Sequence, residues 1–270
     1  VVIGGGIGVG IRALIDDAAI ADHADALLVL LASAGYFIAA ILTVRLKKYE
    51  IGPLKHEKET ASFVQGFRDM QEGFNYLRGH LDASRGIIAT AVQRGGLTAL
   101  TLTALLLERN TFNVPTKPED GLQGFGIALT IAGLGLFLGA FLAPYGVGRF
   151  GRHRWIKFSM LACAISPLIL AVSQNEIGLC VTAFLTAFFG QNIKVTNDAL
   201  VQSKIDDYHR GRVFAVYDVV VNGAIVSGGL LAALLLPTSG LSRVVPLAVS
   251  AAYLFIAFVV LRPAKFYATS

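Results

Sequence analysis

Apolar residues in this chain neither alternate nor keep to one helical stripe; they run on for about twenty residues at a time. Seven such runs stand at roughly 25–45, 86–107, 122–145, 154–173, 177–200, 212–236 and 243–262. A helix rises about 1.5 Å per residue, so about 20 residues cross the hydrocarbon core of a bilayer. Each run is therefore predicted to be a membrane-spanning helix. Residues 1–15 make an eighth apolar run, too short by itself and read as a span cut before its start. The breaks carry turn chemistry, as in NVPTKPEDG, SPLILAVSQNE and LPTSGLSR.

One segment departs from this pattern. In SFVQGFRDMQEGFNYLRGHLD, Phe63, Phe67, Met70, Phe74 and Leu77 follow one helical face, while Arg68, Asp69, Gln71, Glu72 and Asn75 lie elsewhere. The spacing predicts an amphipathic helix along the membrane surface or against the ends of a bundle, inside a linker at 46–85.

The glycines of VVIGGGIGVGIRAL raise a competing reading, a dinucleotide-binding turn. Gly4 and Gly6 fit its spacing, but Val9 stands where the third glycine is needed for close helix–strand packing. Glycine recurs inside the other runs too, as in GFGIALTIAGLGLFLGAF and NGAIVSGGLL, so a small-residue packing face explains the opening better.

Composition agrees. Hydrophobic residues are 54% of the chain and charged ones 15%, against about 25% in an average soluble domain. The mean hydropathy is +0.63. Cys163 and Cys180 sit in apolar runs and offer neither a disulfide framework nor metal spacing. Val1 opens an apolar run without a basic leader, which is not a signal peptide pattern. Placing 46–85, 146–153, 203–211 and the C-terminus on one side, with their immediate helix ends, gathers seventeen Lys and Arg there. The opposite side holds four, Arg12, Arg109, Lys117 and Arg243. The positive-inside rule then makes the richer side cytoplasmic. With eight spans both ends are expected there, and the net charge of +5 needs no nucleic-acid partner.

Several local patterns fit this topology. EGFNYLRGHLDASRGIIATAV precedes the run at 86–107, PYGVGRFGRHRW lies between 122–145 and 154–173, and NDALVQSKIDDYHRGRVFAVYD joins 177–200 to 212–236. Together they resemble the major facilitator superfamily, in its macrolide, drug and siderophore exporter-like branch. In PYGVGRFGRHRW, Arg149, Gly151, Arg152 and His153 or Arg154 are similar to that family's cytoplasmic-loop signature, with Pro144 and Gly148 replacing a Gly and an Asp. Gln202, Arg210, Gly211, Arg212 and Val213 match its junction between spans ten and eleven. The resemblance implies an all-α polytopic bundle. Residues 1–45 would hold the last two spans of an N-terminal bundle, 46–85 a cytoplasmic central loop, and 86–270 the C-terminal six-helix bundle. The first four spans would come from the same full-length chain or from a partner.

Ionisable residues at membrane depth are costly and usually face a cavity or a partner. Gln191, Lys194, Asp198 and Gln202 recur along one stripe of the run at 177–200, where Lys194 and Asp198 form an i,i+4 pair. Gln93 and Arg94 lie in 86–107, with Thr98 and Thr101 on the face of Arg94; Asp218 and Asn222 lie one turn apart in 212–236. Gln93, Arg94, Gln191, Lys194, Asp198, Asp218 and Asn222 are the candidates for a substrate cavity and ion coupling. Arg94 has two potential partners, Asp198 and Asp218. None of the five histidines falls well inside a span, so a proton carrier is expected to be a carboxylate, Asp198 or Asp218 first. Arg149, Gly151, Arg152, Arg154, Arg210, Gly211 and Arg212 are expected to be structural and gating elements of the cytoplasmic loops.

No G-x-x-x-x-G-K-[ST] sequence is present, so nothing points to ATP-driven pumping. The expectation is a multi-pass protein of the cell membrane, using no cofactor or metal. It would export an amphipathic small molecule in exchange for protons by alternating access. A lysophospholipid or other lipid transporter or flippase is the alternative. A membrane-embedded lipid-modifying enzyme comes after it, with only His153 beside Arg152 and His209 beside Asp206 and Asp207 as chemistry.

Overall fold

The computed structural model describes residues 18–45, 63–114, 116 and 118–261, in two compact units, Val1–Gly66 and Phe67–Ser270. The described residues form eight α-helices and no strand. These are α1 (Ala18–Arg45), α2 (Phe63–Gly79), α3 (Leu81–Leu107), α4 (Pro118–Phe150), α5 (Arg152–Val172), α6 (Glu176–Lys204), α7 (Asp207–Leu235) and α8 (Val244–Phe255). Short π-turns, Glu108–Phe112 and Ile256–Val260, extend α3 and α8. The fold is the expected all-α one. The run at 1–15 with its glycines, most of the linker at 46–62 and the C-terminal tail at 262–270 lie outside the described residues.

Four helices, α4 to α7, are long and apolar enough to cross a membrane. Each of the seven predicted runs falls on a helix, but α3 is not apolar enough to count among the four, and Val29–Arg45 and Val244–Val260 are shorter apolar helices. The helix expected at 122–145 runs to Phe150, through Pro144, and the expected loop at 146–153 shrinks to Gly151. Gly151 sits at φ 78°, a left-handed conformation that a β-carbon disfavours, so one glycine makes the turn. The expected loop at 203–211 likewise reduces to Ile205 and Asp206. Gly211 lies within α7 in ordinary helical geometry and makes no turn.

In the second unit α4 packs mainly on α6, α3 on α7, and α5 on α6 and α8. Backbones approach closely where small residues meet. Gly135 and Gly139 of α4, one turn apart, lie against the carbonyls of Phe184 and Phe188 on α6. Gly95 of α3 and Gly228 of α7 do the same for that pair. Lipid tails are as apolar as leucine, so such close packing holds helices together where hydrophobic burial cannot.

The amphipathic helix is present as α2, rotated from the expected face. Phe67 and Phe74 are exposed, while Met70, Gly73, Tyr76 and Leu77 turn toward the α7 end of the bundle. Polar contacts win over the aromatic stripe here. Arg212 makes ion pairs with Asp69 (3.1 Å) and Glu72 (3.3 Å), Gly73 seats on the Arg212 backbone, and Tyr76 donates to Asp206 (2.9 Å).

Candidate functional site

Polar side chains inside the second unit form a thick layer, about 18 Å along α6 from Thr186 to Asp198, reached also by α3, α5, α7 and α8. At its centre, the Arg94 guanidinium on α3 donates to Gln191 Oε1 on α6 at 3.1 Å. Beside it, Gln93 is fully buried and donates to the Thr186 carbonyl at 3.3 Å, with Gly190 leaving the space its amide fills. Tyr253 of α8, also fully buried, donates to the Gln93 carbonyl at 2.9 Å. Further along α6, Lys194 Nζ meets Asp198 Oδ2 at 2.5 Å, and the Tyr217 hydroxyl of α7 donates to Asp198 Oδ1 at 2.9 Å. Trp155 of α5 donates to Asn192 at 3.2 Å.

Helix geometry explains the grouping. Lys194 and Asp198 are neighbours across one turn, and the carboxylate lowers the cost of holding the ammonium away from water. Arg94 is different. Among the described residues its hydrogen-bond partner is the neutral Gln191, and no carboxylate lies within ion-pair distance. Neither partner considered from sequence forms an ion pair with it: Asp198, bonded to Lys194 and Tyr217, acts on Arg94 only through space, and Asp218 is exposed. Asn222 is exposed as well, and its amide returns to the Asp218 carbonyl at 2.8 Å. The structure therefore brings together Gln93, Arg94, Gln191, Lys194 and Asp198, while Asp218 and Asn222 are exposed on α7 and join none of these contacts.

An apolar cleft adjoins the layer. It is bounded by Leu97, Leu100 and Thr101 of α3, Phe125 and Ala132 of α4, and Leu179, Thr182, Ala183 and Thr186 of α6. Its cavity volume is about 40 Å³, and the rest of the cleft opens outward. The three threonine hydroxyls are spoken for inside the protein: Thr101 bonds the Leu97 carbonyl, Thr182 the Ser166 carbonyl, and Thr186 the Ser166 hydroxyl. The cleft thus presents methyl and aliphatic surface.

The arginine-rich turns have definite partners. Arg152 donates to Ser203 at 2.6 Å, bridging the start of α5 to the end of α6. Arg210 pairs with Asp207 at 2.6 Å and donates to the Gln202 carbonyl at 3.2 Å, on the last turns of α6. A cation there complements the helix dipole. Arg149 lies 6.0 Å from the Phe150 ring, and both Arg149 and Arg154 are exposed. At the far end of the bundle, Glu108 is 2% exposed and accepts from Asn113 at 3.2 Å, against Gly124 of α4. Burial pushes its carboxyl above the usual range, and Glu176 adds to the rise.

Sequence reasoning missed Tyr217, Tyr253, Trp155 and Glu108. Tyr217 carried a signal, a polar aromatic beside an already suspected Asp218; Trp155 and Tyr253 carried none. Glu108 sat past the end of its apolar run, and only the π-turn folds it inward.

Long apolar helices packed around buried polar and charged groups define a membrane protein. Residues 86–266 match the Major Facilitator Superfamily, and the chain belongs to that family of membrane transporters. Two relatives, uncharacterized MFS-type transporters of Mycobacterium bovis and Mycobacterium tuberculosis, are each 26% identical over 240 residues. The matches cover 86% of this chain and 52% of each relative, so the chain spans about half the length of the curated relatives it matches. No solved structure matches.

Proposed function

We propose that this chain works in secondary active transport, moving an amphipathic small molecule outward in exchange for protons. The carrying observation is the apolar cleft lying next to a charged, hydrogen-bonded layer built from α3, α6 and α7. A membrane protein rarely maintains ionisable groups at such depth without a function for them. In this reading Asp198 is the proton carrier, since its protonation would release Lys194 and change what Tyr217 donates to. Residues 86–270 form the C-terminal six-helix bundle, 46–85 the central cytoplasmic loop, and 1–45 the last two helices of the preceding bundle. The protein lies in the cell membrane with its C-terminus in the cytoplasm. Arg152, Arg210 and Arg212 fasten the cytoplasmic ends in one conformational state, and breaking their contacts permits the other.

The test is flux in everted membrane vesicles from cells expressing the full chain. Fluorescent amphiphiles would be screened for uptake driven by a proton gradient and abolished by a protonophore. Uptake that survives collapse of the gradient overturns the coupling, and absence of uptake across neutral, cationic and anionic probes overturns transport itself.

A further inference from the structure

The charge balance of the layer is uneven. It holds two cations, Arg94 and Lys194, against one carboxylate, Asp198, and that carboxylate is taken by Lys194 at 2.5 Å and by Tyr217 at 2.9 Å. Arg94 is half-buried, with one hydrogen bond to a neutral amide. A guanidinium carries five N–H donors in a planar fork that matches a carboxylate or phosphate, so most of its donor capacity is uncommitted among the described residues.

Its position ties it to the cleft. Arg94, Leu97 and Thr101 fall at i, i+3 and i+7 on α3, one helical face, and the last two line the cleft. At about 1.5 Å per residue, the cleft begins about 4.5 Å along α3 from Arg94 and runs about 10 Å further, to Ala104. It offers no uncommitted hydroxyl to a ligand, because each threonine on its wall is bonded within the protein. One end of the site therefore suits an anion and the other suits hydrocarbon.

We propose that the substrate is an anionic amphiphile, its carboxylate or phosphate head on Arg94 and Gln191 and its hydrocarbon tail in the cleft beside Leu97, Thr101 and Ala132. This rests on the transport reading and narrows it to one charge class. The head supplies a counter-charge in direct contact with Arg94, which among the described residues Asp198 reaches only through space. Gln191, whose oxygen accepts from Arg94, retains its own amide donors for the same head group.

The test is equilibrium dialysis on the full chain held in amphipol, with a protein-free amphipol blank. The probes are radiolabelled dodecyl phosphate, dodecyltrimethylammonium and inorganic phosphate, each below its aggregation concentration. Dodecyl phosphate is expected to bind saturably and at least tenfold more tightly than the cation of equal chain length. Inorganic phosphate should fail to displace it at a hundredfold excess. Arg94→Gln is expected to lower affinity for dodecyl phosphate at least tenfold and leave the cation unaffected. Should that variant not fold, Gln191→Glu sets a carboxylate against Arg94 in place and is expected to erase the same preference without deleting the arginine. Ala132→Phe, which fills the cleft, should weaken both chain probes. Equal affinity for the anionic and cationic chains, or retained preference in both Arg94→Gln and Gln191→Glu, overturns the assignment of the head. Competition by inorganic phosphate as strong as by dodecyl phosphate overturns the tail. Proton-driven flux of a cationic amphiphile with no binding of dodecyl phosphate would refute this inference and leave the transport reading standing.

Discussion

Gly135→Ala isolates what holds the second unit together. A β-carbon at Gly135 would stand 2.5 Å from the Phe184 carbonyl oxygen and 3.2 Å from the Phe188 nitrogen, both backbone atoms of α6 that no rotamer change can move. Ordinary C···O contacts begin near 3.3 Å, so α4 and α6 must part locally by roughly 0.8 Å. A gap of that size forfeits a quarter to a half of each dispersion contact it opens. For contacts equivalent to one buried side chain, about fifty at 0.1–0.2 kcal/mol each, the loss is about 2–3 kcal/mol. Replacing a helical glycine by alanine returns up to about 1 kcal/mol, leaving a net cost of about 1–2 kcal/mol. At about 2–4 °C per kcal/mol for a chain of this size, the melting temperature should fall by roughly 2–8 °C. Cys163 is fully buried, so a thiol-reactive fluorogenic dye in detergent will report the transition. Gly148→Ala is the control, because it lies on the same helix with nothing within 4 Å of the added carbon. It should melt at or slightly above the parent temperature. A Gly135→Ala protein as stable as the parent, or a Gly148→Ala protein equally damaged, would falsify the close-packing argument.

Three further outcomes are expected. Asp198→Asn should cut proton-driven flux roughly tenfold or more, the equivalent of at least about 1.4 kcal/mol. Asp218→Asn, altering an exposed side chain, should stay within about twofold in the same vesicle assay. Arg212→Ala removes two ion pairs to α2, worth about 1–2 kcal/mol together, so amide exchange in residues 67–79 should speed up about five- to thirtyfold; unchanged exchange there would remove Arg212 as the fastener. Glu108 is a carboxyl whose folded value is raised, so the folded state holds its proton longer than the unfolded one. Its contribution to stability is complete below the unfolded value, about 4.3, and is lost as pH rises through the folded value. Thermal melts across that window should show stability declining with pH, and Glu108→Gln should flatten the decline.

The spans and their order were legible because a bilayer imposes a length on every apolar run. The positions of Lys194 and Asp198 were legible for a similar reason: an i,i+4 pair is fixed by one helix alone. What escaped depends on more than one helix. The loops at 146–153 and 203–211 were overestimated because arginine and glycine read as loop residues, whereas here they continue or cap helices. The face of α2 was misjudged because aromatic periodicity marks an apolar side without saying whether the bundle or the membrane receives it. Asp218 is exposed on α7, a rotation that sequence spacing alone does not fix. Tyr217, one residue away and so about 100° around the helix, took the place expected of it.

The joint at Gly151 has a mechanical consequence. A single residue offers two soft torsions, and Gly151 already spends one of them in a conformation closed to other residues. The 33-residue and 21-residue rods on either side therefore form an elbow with almost no slack. Any tilt imposed on one rod is delivered to the other within the same motion, and lengthening that elbow by even two residues should uncouple them.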